Sequence, residues 1–384
     1  MKILVSEYVL STYRSHYLDL LPEAYAMTIT LAKSLSMADC EVYLTISSRA
    51  PKISWDKVVA VKDESDYYRY LAQAPDNFDW IVLIAPPLEL IKLSRSVRRN
   101  LLGPPYPLVK IFSDKLTSFL ELRRCGIKTP RTVLIDGQAT DCETISELNP
   151  PYIIKPTLSA GSECVYFAED RRDALRLASK VAKCDPNGRV LIQEYVSGIH
   201  GSISVIYGSD NYLLYSLNLQ LMTLNYNRIK YAGGLLPIRR KAFRKKAEVA
   251  LNKLFNCYPM LRGYIGFDVV WNEKDMYVIE VNPRATTSII GIYEIFPELG
   301  KYLVRSVSAY QKKGEHYFLG DLVSEYAYYL LLEKGVSIQP SEWSINIGGS
   351  TRTLLVGRSS SRKRILERLS ALIPKVMYNL ADAL

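Results

Sequence analysis

The sequence predicts a mixed α/β and α+β protein with more than one domain. Three observations carry that prediction. A chain of 384 residues is long enough for two or three cores. Residues 1–110 alternate strand and helix signals, the rhythm of a doubly wound parallel sheet with helices on its faces. Residues 131–207 are β-rich with one helix, and residues 211–311 add strands around a single long helix, an α+β pattern.

In order, Ile3–Ser6 reads as a strand, and Glu23–Ser36 as a helix with Pro22 in its first turn. Cys40–Ile46 and Val58–Val61 read as strands, and Asp79–Ala85 as a buried strand stopped by Pro86-Pro87. A sheet of this kind binds ligands beyond the carboxyl ends of its strands. Those ends carry Ser6-Glu-Tyr8 and Ala85-Pro-Pro-Leu-Glu89. Gly103-Pro-Pro-Tyr-Pro107 marks a boundary. Ser113 is the expected cap of a helix running through Arg124, with Gly126 ending it. Further helices are expected near 171–183, over 240–256 and near 320–334. The tail then forms a hairpin, Ser344–Ile347 and Thr351–Val356 around Gly348-Gly349, and an amphipathic helix from Ser361.

Composition narrows the class. The apolar share of 48% and charged share of 23% are ordinary for a globular chain. No apolar run approaches the roughly 20 residues that span a bilayer. Met1-Lys-Ile-Leu-Val5 is strand-like and too short for a signal peptide, so a cytoplasmic location without membrane contact is expected. The six cysteines form no C-x-x-C pair and are expected as buried thiols, neither zinc ligands nor disulfides. The net charge of +10 draws partly on Arg239–Lys246 and Arg362–Arg364. Phe243, Ala247, Ala250, Leu251, Leu254 and Phe255 recur at helical spacing, which makes those first basic residues the wet face of an amphipathic helix. Nucleic acid is therefore not an expected partner.

The chemistry concentrates in Gly266–Arg284, which reads as two apolar strands joined by a polar turn, Asn272–Asp275. Glu280 and Asn282 share a face by the period of two, and hairpin pairing lets Asp268 join them. Three oxygen donors, two of them anionic, suit a hard divalent cation such as Mg²⁺. Solvent-facing acids on a hairpin are the plain alternative. The apolar residues on both strands argue against it, because buried acids need a partner. Arg284 follows and can hold an anion beside the metal.

A second cluster lies upstream. Tyr152–Ser162 is a strand, a lysine and a small-residue loop. Ser159, Ala160, Gly161 and Ser162 let backbone N–H groups approach phosphate, and Lys155 supplies a point charge. Val190–Gly198 is an apolar strand whose end, with Gln193, can hydrogen-bond an adenine edge. Each of these alone is as well explained by an ordinary loop or turn.

In this order and spacing, over roughly residues 1–300, the chain resembles the ATP-grasp superfamily. The resemblance implies an N-terminal doubly wound domain (1–110). It implies two α+β subdomains clasping ATP (111–200 and 201–312). A C-terminal α/β appendage (313–384) has no counterpart and is available for homodimer formation. It implies ATP with Mg²⁺ or Mn²⁺ as cofactors. Lys115 and Lys155 look like the phosphate lysines, Ser159–Ser162 like the phosphate lid, and Gln193, Glu194, Tyr195 and Val196 like the adenine hinge. Asp268, Glu280 and Asn282 look like the metal ligands, and Arg284 like the cation facing an acyl phosphate. Where the family carries a ribose-binding glutamate this chain has His200, which puts that contact in doubt. The implied reaction is ATP-dependent joining of a small carboxylate to a small amine.

Ser6-Glu-Tyr8, Pro22–Met27, Tyr231–Gly234 and Asn282–Gly291 are similar to the archaeal tyramine–glutamate ligases of methanofuran synthesis. On that likeness Thr286, Thr287 and Ser288 line the acceptor site and Arg228 meets the glutamate α-carboxylate. Other amino-acid or peptide ligation, ATP-dependent carboxylation, and nucleotide or RNA binding without turnover stay open at this point.

Overall fold

The computed structural model describes residues 1–136, 145–159, 163–308, 315–333 and 335–383. The first strands, β1 (Lys2–Glu7), β2 (Glu41–Ser47), β3 (Val58–Val61) and β4 (Trp80–Ile84), form a parallel sheet in the order β3-β2-β1-β4. Central β1 has Ile3, Leu4 and Val5 fully buried, as a parallel strand covered on both faces requires. The helices Leu21–Ser36, Glu64–Gln73 and Pro87–Val97 pack on this sheet. Asp63 caps the second of them by accepting from the Asp66 amide at 2.8 Å.

The other described strands build one large sheet: β5 (Thr132–Asp136), β6 (Tyr152–Pro156), β7 (Tyr166–Ala168), β8 (Arg189–Glu194), β9 (Ile199–Tyr207), β10 (Tyr212–Asn225), β11 (Arg228–Leu236), β12 (Gly263–Trp271) and β13 (Met276–Asn282). Their order is β13-β12-β9-β10-β11-β7-β6-β8-β5. The β11–β7 junction rests on one register pair, Arg228 opposite Tyr166, so the strands on either side meet along a thin seam. Asp114, not Ser113, caps the helix Lys115–Arg124 by accepting from the Thr117 amide at 2.9 Å. Ser113 instead ends a separate helix, Tyr106–Ser113. Asp114 holds the extended backbone a cap needs, and this sets Lys115 at the helix start.

The tail departs from expectation. The apolar stretch expected as a helix near 320–334 forms a short turn of helix at Leu319–Leu322 and then a strand. The tail strands are β14 (Tyr317–Phe318), β15 (Tyr326–Leu332), β16 (Glu342–Asn346) and β17 (Thr353–Ser359). β15 pairs with β11, β17 with β15 and β16 with β17, so the tail extends the large sheet. A seven-residue run with three tyrosines fits a buried strand better than a helix.

The cysteine expectation also changes. Cys125 is bonded to Cys257, and Cys164 to Cys184, while Cys40 keeps a buried thiol. Cys142 lies outside the described residues. Cys125 and Cys257 sit at the ends of the helices Lys115–Arg124 and Lys241–Cys257, which the fold brings side by side. A separation of 132 residues leaves no trace of that meeting in the linear spacing. In Lys241–Cys257, Phe243, Ala247, Ala250, Leu251 and Leu254 are buried, as the periodicity requires. No helix among the described residues is long and apolar enough to cross a membrane.

Candidate active site

One cavity of about 200 Å³ is walled by β6 and β8 on one side and by β12 and β13 on another, with the N-terminal helix and the tail closing one end. The β12–β13 hairpin sets Asp268 directly opposite Glu280, with a bulge just after Asp268. Asn282 lies two residues beyond Glu280 and donates to its Oε1 at 3.4 Å. Gln220, from β10, donates to Asp268 Oδ1 at 2.8 Å. Two carboxylates this close cannot both carry charge comfortably. Burial and the Glu280 charge push the Asp268 carboxyl well above the usual range. Burial also works against the charged form of Glu280, but Lys115 and Lys155 outweigh it and hold that group at about 2.

The donor set is all oxygen, and its crowded negative charge is what a divalent cation relieves. The described residues hold no cluster of three His, Cys, Asp or Glu side chains, so any metal here leans on two carboxylates, the Asn282 amide and groups brought by a ligand.

Lys115 and Lys155 both reach this centre. Lys115 is 9% exposed, donates to the Ser159 carbonyl at 2.6 Å and lies 3.4 Å from Glu280 Oε2. Lys155 is 4% exposed and donates to Gln193 Oε1 at 3.2 Å. Burial pushes the Lys155 ammonium down to about 8, with Lys115 adding to the shift and Glu280 opposing it. A lysine held dry and under-paired in this way is prepared for an anion. Ala160, Gly161 and Ser162 of the expected lid lie outside the described residues. The flanks of that segment are anchored: Asp185 accepts from the Thr157 and Leu158 amides at 2.9 and 3.1 Å, and Cys164 is bonded to Cys184.

Gln193, Glu194, Tyr195 and Val196 line the cavity. Gln193 also donates to Thr132 Oγ1 at 2.8 Å, and Glu194 accepts from the Asn149 amide at 2.6 Å, which fixes the strand end. His200, on β9, lines the same region and stacks between Tyr195 and Tyr378, with ring centroids 6.4 and 5.9 Å away. Its Nε2 is buried without a hydrogen-bond partner among the described residues, and burial pushes the imidazole down to about 4. It is neutral at physiological pH and presents a hydrogen-bonding group in search of a partner.

At the other end Arg284 is half-buried and donates to the Ala285 carbonyl at 2.9 Å. Thr286, Thr287 and Ser288 face the cavity, and Thr287 Oγ1 donates to Glu23 Oε1 at 2.9 Å. Tyr231 donates to the Tyr329 hydroxyl at 2.9 Å. Arg228 is not there. It sits exposed at the start of β11, beside the β10–β11 turn. Period two explains this: Ile229 and Tyr231 face the cavity, so Arg228 and Lys230 point away from it. Sequence reasoning missed Glu23, Gln220, Tyr329, Leu331 and Arg352 as lining residues. For the tail residues the signal was available in Tyr326–Leu332, a short apolar run rich in aromatic residues and bounded by polar ones. Glu23 gives none beyond its place in the segment Pro22–Met27.

Residues 112–288 match the sequence family described as an ATP-grasp domain. The chain carries an ATP-grasp domain over these residues. It is 27% identical over 274 residues to the tyramine–L-glutamate ligase of Methanocaldococcus jannaschii, covering 68% of this chain and 75% of that one. Its fold is similar to an ATP-grasp superfamily protein from Archaeoglobus fulgidus, with a TM-score of 0.63 and 21% identity over 93% of this chain and 99% of that one. It is also similar to the biotin carboxylase domain of Hydrogenobacter thermophilus 2-oxoglutarate carboxylase, solved with MgADP and bicarbonate. There the TM-score is 0.68 and the identity 12%, over 98% and 90% of the two chains. The fold is thus the ATP-grasp fold, and the cavity lies where its matched domain meets both ends of the chain.

Proposed function

We propose that the enzyme is a carboxylate–amine ligase that joins the γ-carboxylate of L-glutamate to the amine of tyramine. The observation that carries this reading is the continuity of one cavity. It runs from the hinge and the two lysines, past Asp268, Glu280 and Asn282, to Arg284 and the threonines. A nucleotide and a carboxylate can therefore share it with the γ-phosphate between them.

The substrate carboxylate attacks the γ-phosphorus, the bond from that phosphorus to the bridging oxygen breaks, and ADP leaves. The amine then attacks the acyl carbon, phosphate leaves with the C–O electron pair, and the nitrogen gives a proton to solvent. Asp268, Glu280 and Asn282 would hold Mg²⁺, which when bound would supply charge neutralisation at the phosphates. Lys115 and Lys155 hold the transferring oxygens, and Arg284 faces the acyl phosphate. His200 meets the nucleotide near its ribose. The half of the cavity walled by Tyr231, Tyr329 and Leu331 suits an aromatic amine. The relative named for tyramine and L-glutamate supports the choice of substrates.

The test is ADP release from Mg²⁺-ATP with L-glutamate, with and without tyramine, followed by mass spectrometry. Tyramine-dependent ADP and a γ-glutamyltyramine mass are expected. ADP with a different acid and amine keeps the ligase and discards these substrates. No ADP across a broad acid–amine panel overturns the reaction class.

A further inference from the structure

The end of the cavity away from the hinge holds two opposite charges that do not pair with each other. Glu23 comes from the helix Leu21–Ser36 and is only 7% exposed. Its carboxylate accepts one side-chain hydrogen bond, from Thr287, and makes no ion pair within 4 Å among the described residues. A carboxylate can accept about four hydrogen bonds, and a buried one left short of partners is costly. Arg352 comes from the far end of the chain, just before β17. It lines the same cavity, and its guanidinium donates no hydrogen bond to the described residues. Its charge is felt at Glu23, so the two groups face a common space while remaining beyond ion-pairing distance.

The order of charges along the cavity adds direction. Arg284 lies two residues after Asn282 and three before Thr287, which holds Glu23, and all of them line the cavity, so along this segment it stands between the proposed metal ligands and the Glu23 end. A reacting carboxylate at Arg284 would thus project the rest of its molecule toward a waiting anion and a waiting cation.

We infer that Glu23 and Arg352 form a clamp for the head group of an α-amino acid. Glu23 takes the ammonium and Arg352 the α-carboxylate, which leaves the side-chain carboxylate as the group that is activated. The inference rests on the ligase reading above and names its acid: an α-amino acid carrying a second carboxylate, with the head group read by residues from both ends of the chain. It also moves the α-carboxylate contact from Arg228, which faces away, to Arg352. Thr287 holds Glu23 in place and is a positioning residue.

The test is calorimetric binding to the full chain with Mg²⁺ and ADP present. L-Glutamate and L-aspartate are compared with glutarate, which lacks the ammonium, and 4-aminobutyrate, which lacks the α-carboxylate. The intact enzyme is expected to bind one of the two amino acids at least about tenfold more tightly than either truncated acid, the loss of one charged hydrogen bond. In Glu23→Gln the amino acid should fall to the affinity of glutarate, while glutarate itself is unchanged. In Arg352→Gln it should fall to the affinity of 4-aminobutyrate. ADP binding serves as the control for folding. Equal binding of all four acids to the intact enzyme, or of neither amino acid, overturns the clamp without needing any variant. If an acid without an amino-acid head supports ADP release and both variants are as active as the parent, the clamp is wrong and the ligase stands. If the amino acid binds with the expected dependence on Glu23 and Arg352 yet no amine yields ADP, the clamp stands and the ligase reading fails.

Discussion

His200 makes acid sensitivity a direct probe of how dry the hinge end of the cavity is. Burial lowers its imidazole from an ordinary 6.5 to about 4, so the folded protein keeps it neutral where the unfolded chain protonates it. Between those values the unfolded state binds the extra proton, and stability falls as pH falls. The full difference, about 2.5 pH units at 1.36 kcal/mol each, is about 3 kcal/mol, of which about 2 kcal/mol is lost by pH 5. The contribution is intact above about pH 6.5 and gone below about pH 4. His200→Phe keeps a ring between Tyr195 and Tyr378 and removes the titration. Urea unfolding of both proteins at pH 7.5, 6, 5 and 4.5 isolates the effect, since other acids titrate alike in the two. The parent should lose about 2 kcal/mol more than the variant by pH 5. Parallel curves would show that water reaches Nε2 freely and would refute the account of this end of the cavity.

Other consequences are as concrete. Glu280→Gln removes a charge beside Asp268 and both lysines, and should lower Mg²⁺-dependent turnover by about 10²- to 10³-fold while circular dichroism stays unchanged; parent-like turnover sinks the metal assignment. Lys155→Ala should raise the ATP dissociation constant about ten- to a hundredfold, and unchanged calorimetric affinity would contradict its phosphate role. In Gly201→Ala the new Cβ would meet the Trp271 ring at 2.3 Å and the Asn218 carbonyl at 2.4 Å, so denaturant unfolding should show a loss of about 1–3 kcal/mol or more. Alkylating the denatured, unreduced protein should label Cys40 and spare Cys125, Cys164, Cys184 and Cys257. Labelling of all of these would disprove the two bonds.

What could be read from the sequence was whatever is local. Asp268, Glu280 and Asn282 belong to one hairpin, so the period of two already groups them, and the register agrees. Lys155 and Gln193 sit on neighbouring strands and each carries its signal in its own segment. The cap of the helix at Lys115 was misread by one residue, because Ser113 and Asp114 are both good caps and only the backbone decides. Residues that meet through topology stayed hidden. Glu23 and Arg352 are more than three hundred positions apart and join only because β15 and β17 extend the large sheet. Arg228 failed for a simpler reason: the same alternation that puts Tyr231 in the cavity turns Arg228 away from it. The cysteine pairs belong with the topological failures, since two helix ends had to be aligned before Cys125 could find Cys257.

The extension of the sheet by the tail has a further implication for how such a chain can diversify. The segment that matches the ATP-grasp domain ends at residue 288, whereas Glu23, Tyr329, Leu331 and Arg352 lie before or after it. On the proposed reading, the phosphate and metal residues lie inside that segment, while part of the acid- and amine-binding end lies outside it. If Glu23 and Arg352 read the acid as proposed, changes at the two termini would retune which acid is accepted while leaving Lys115, Lys155, Asp268 and Glu280 in place. A chimera that exchanges only the segment after residue 312 between relatives would be the natural way to move selectivity while leaving nucleotide use alone.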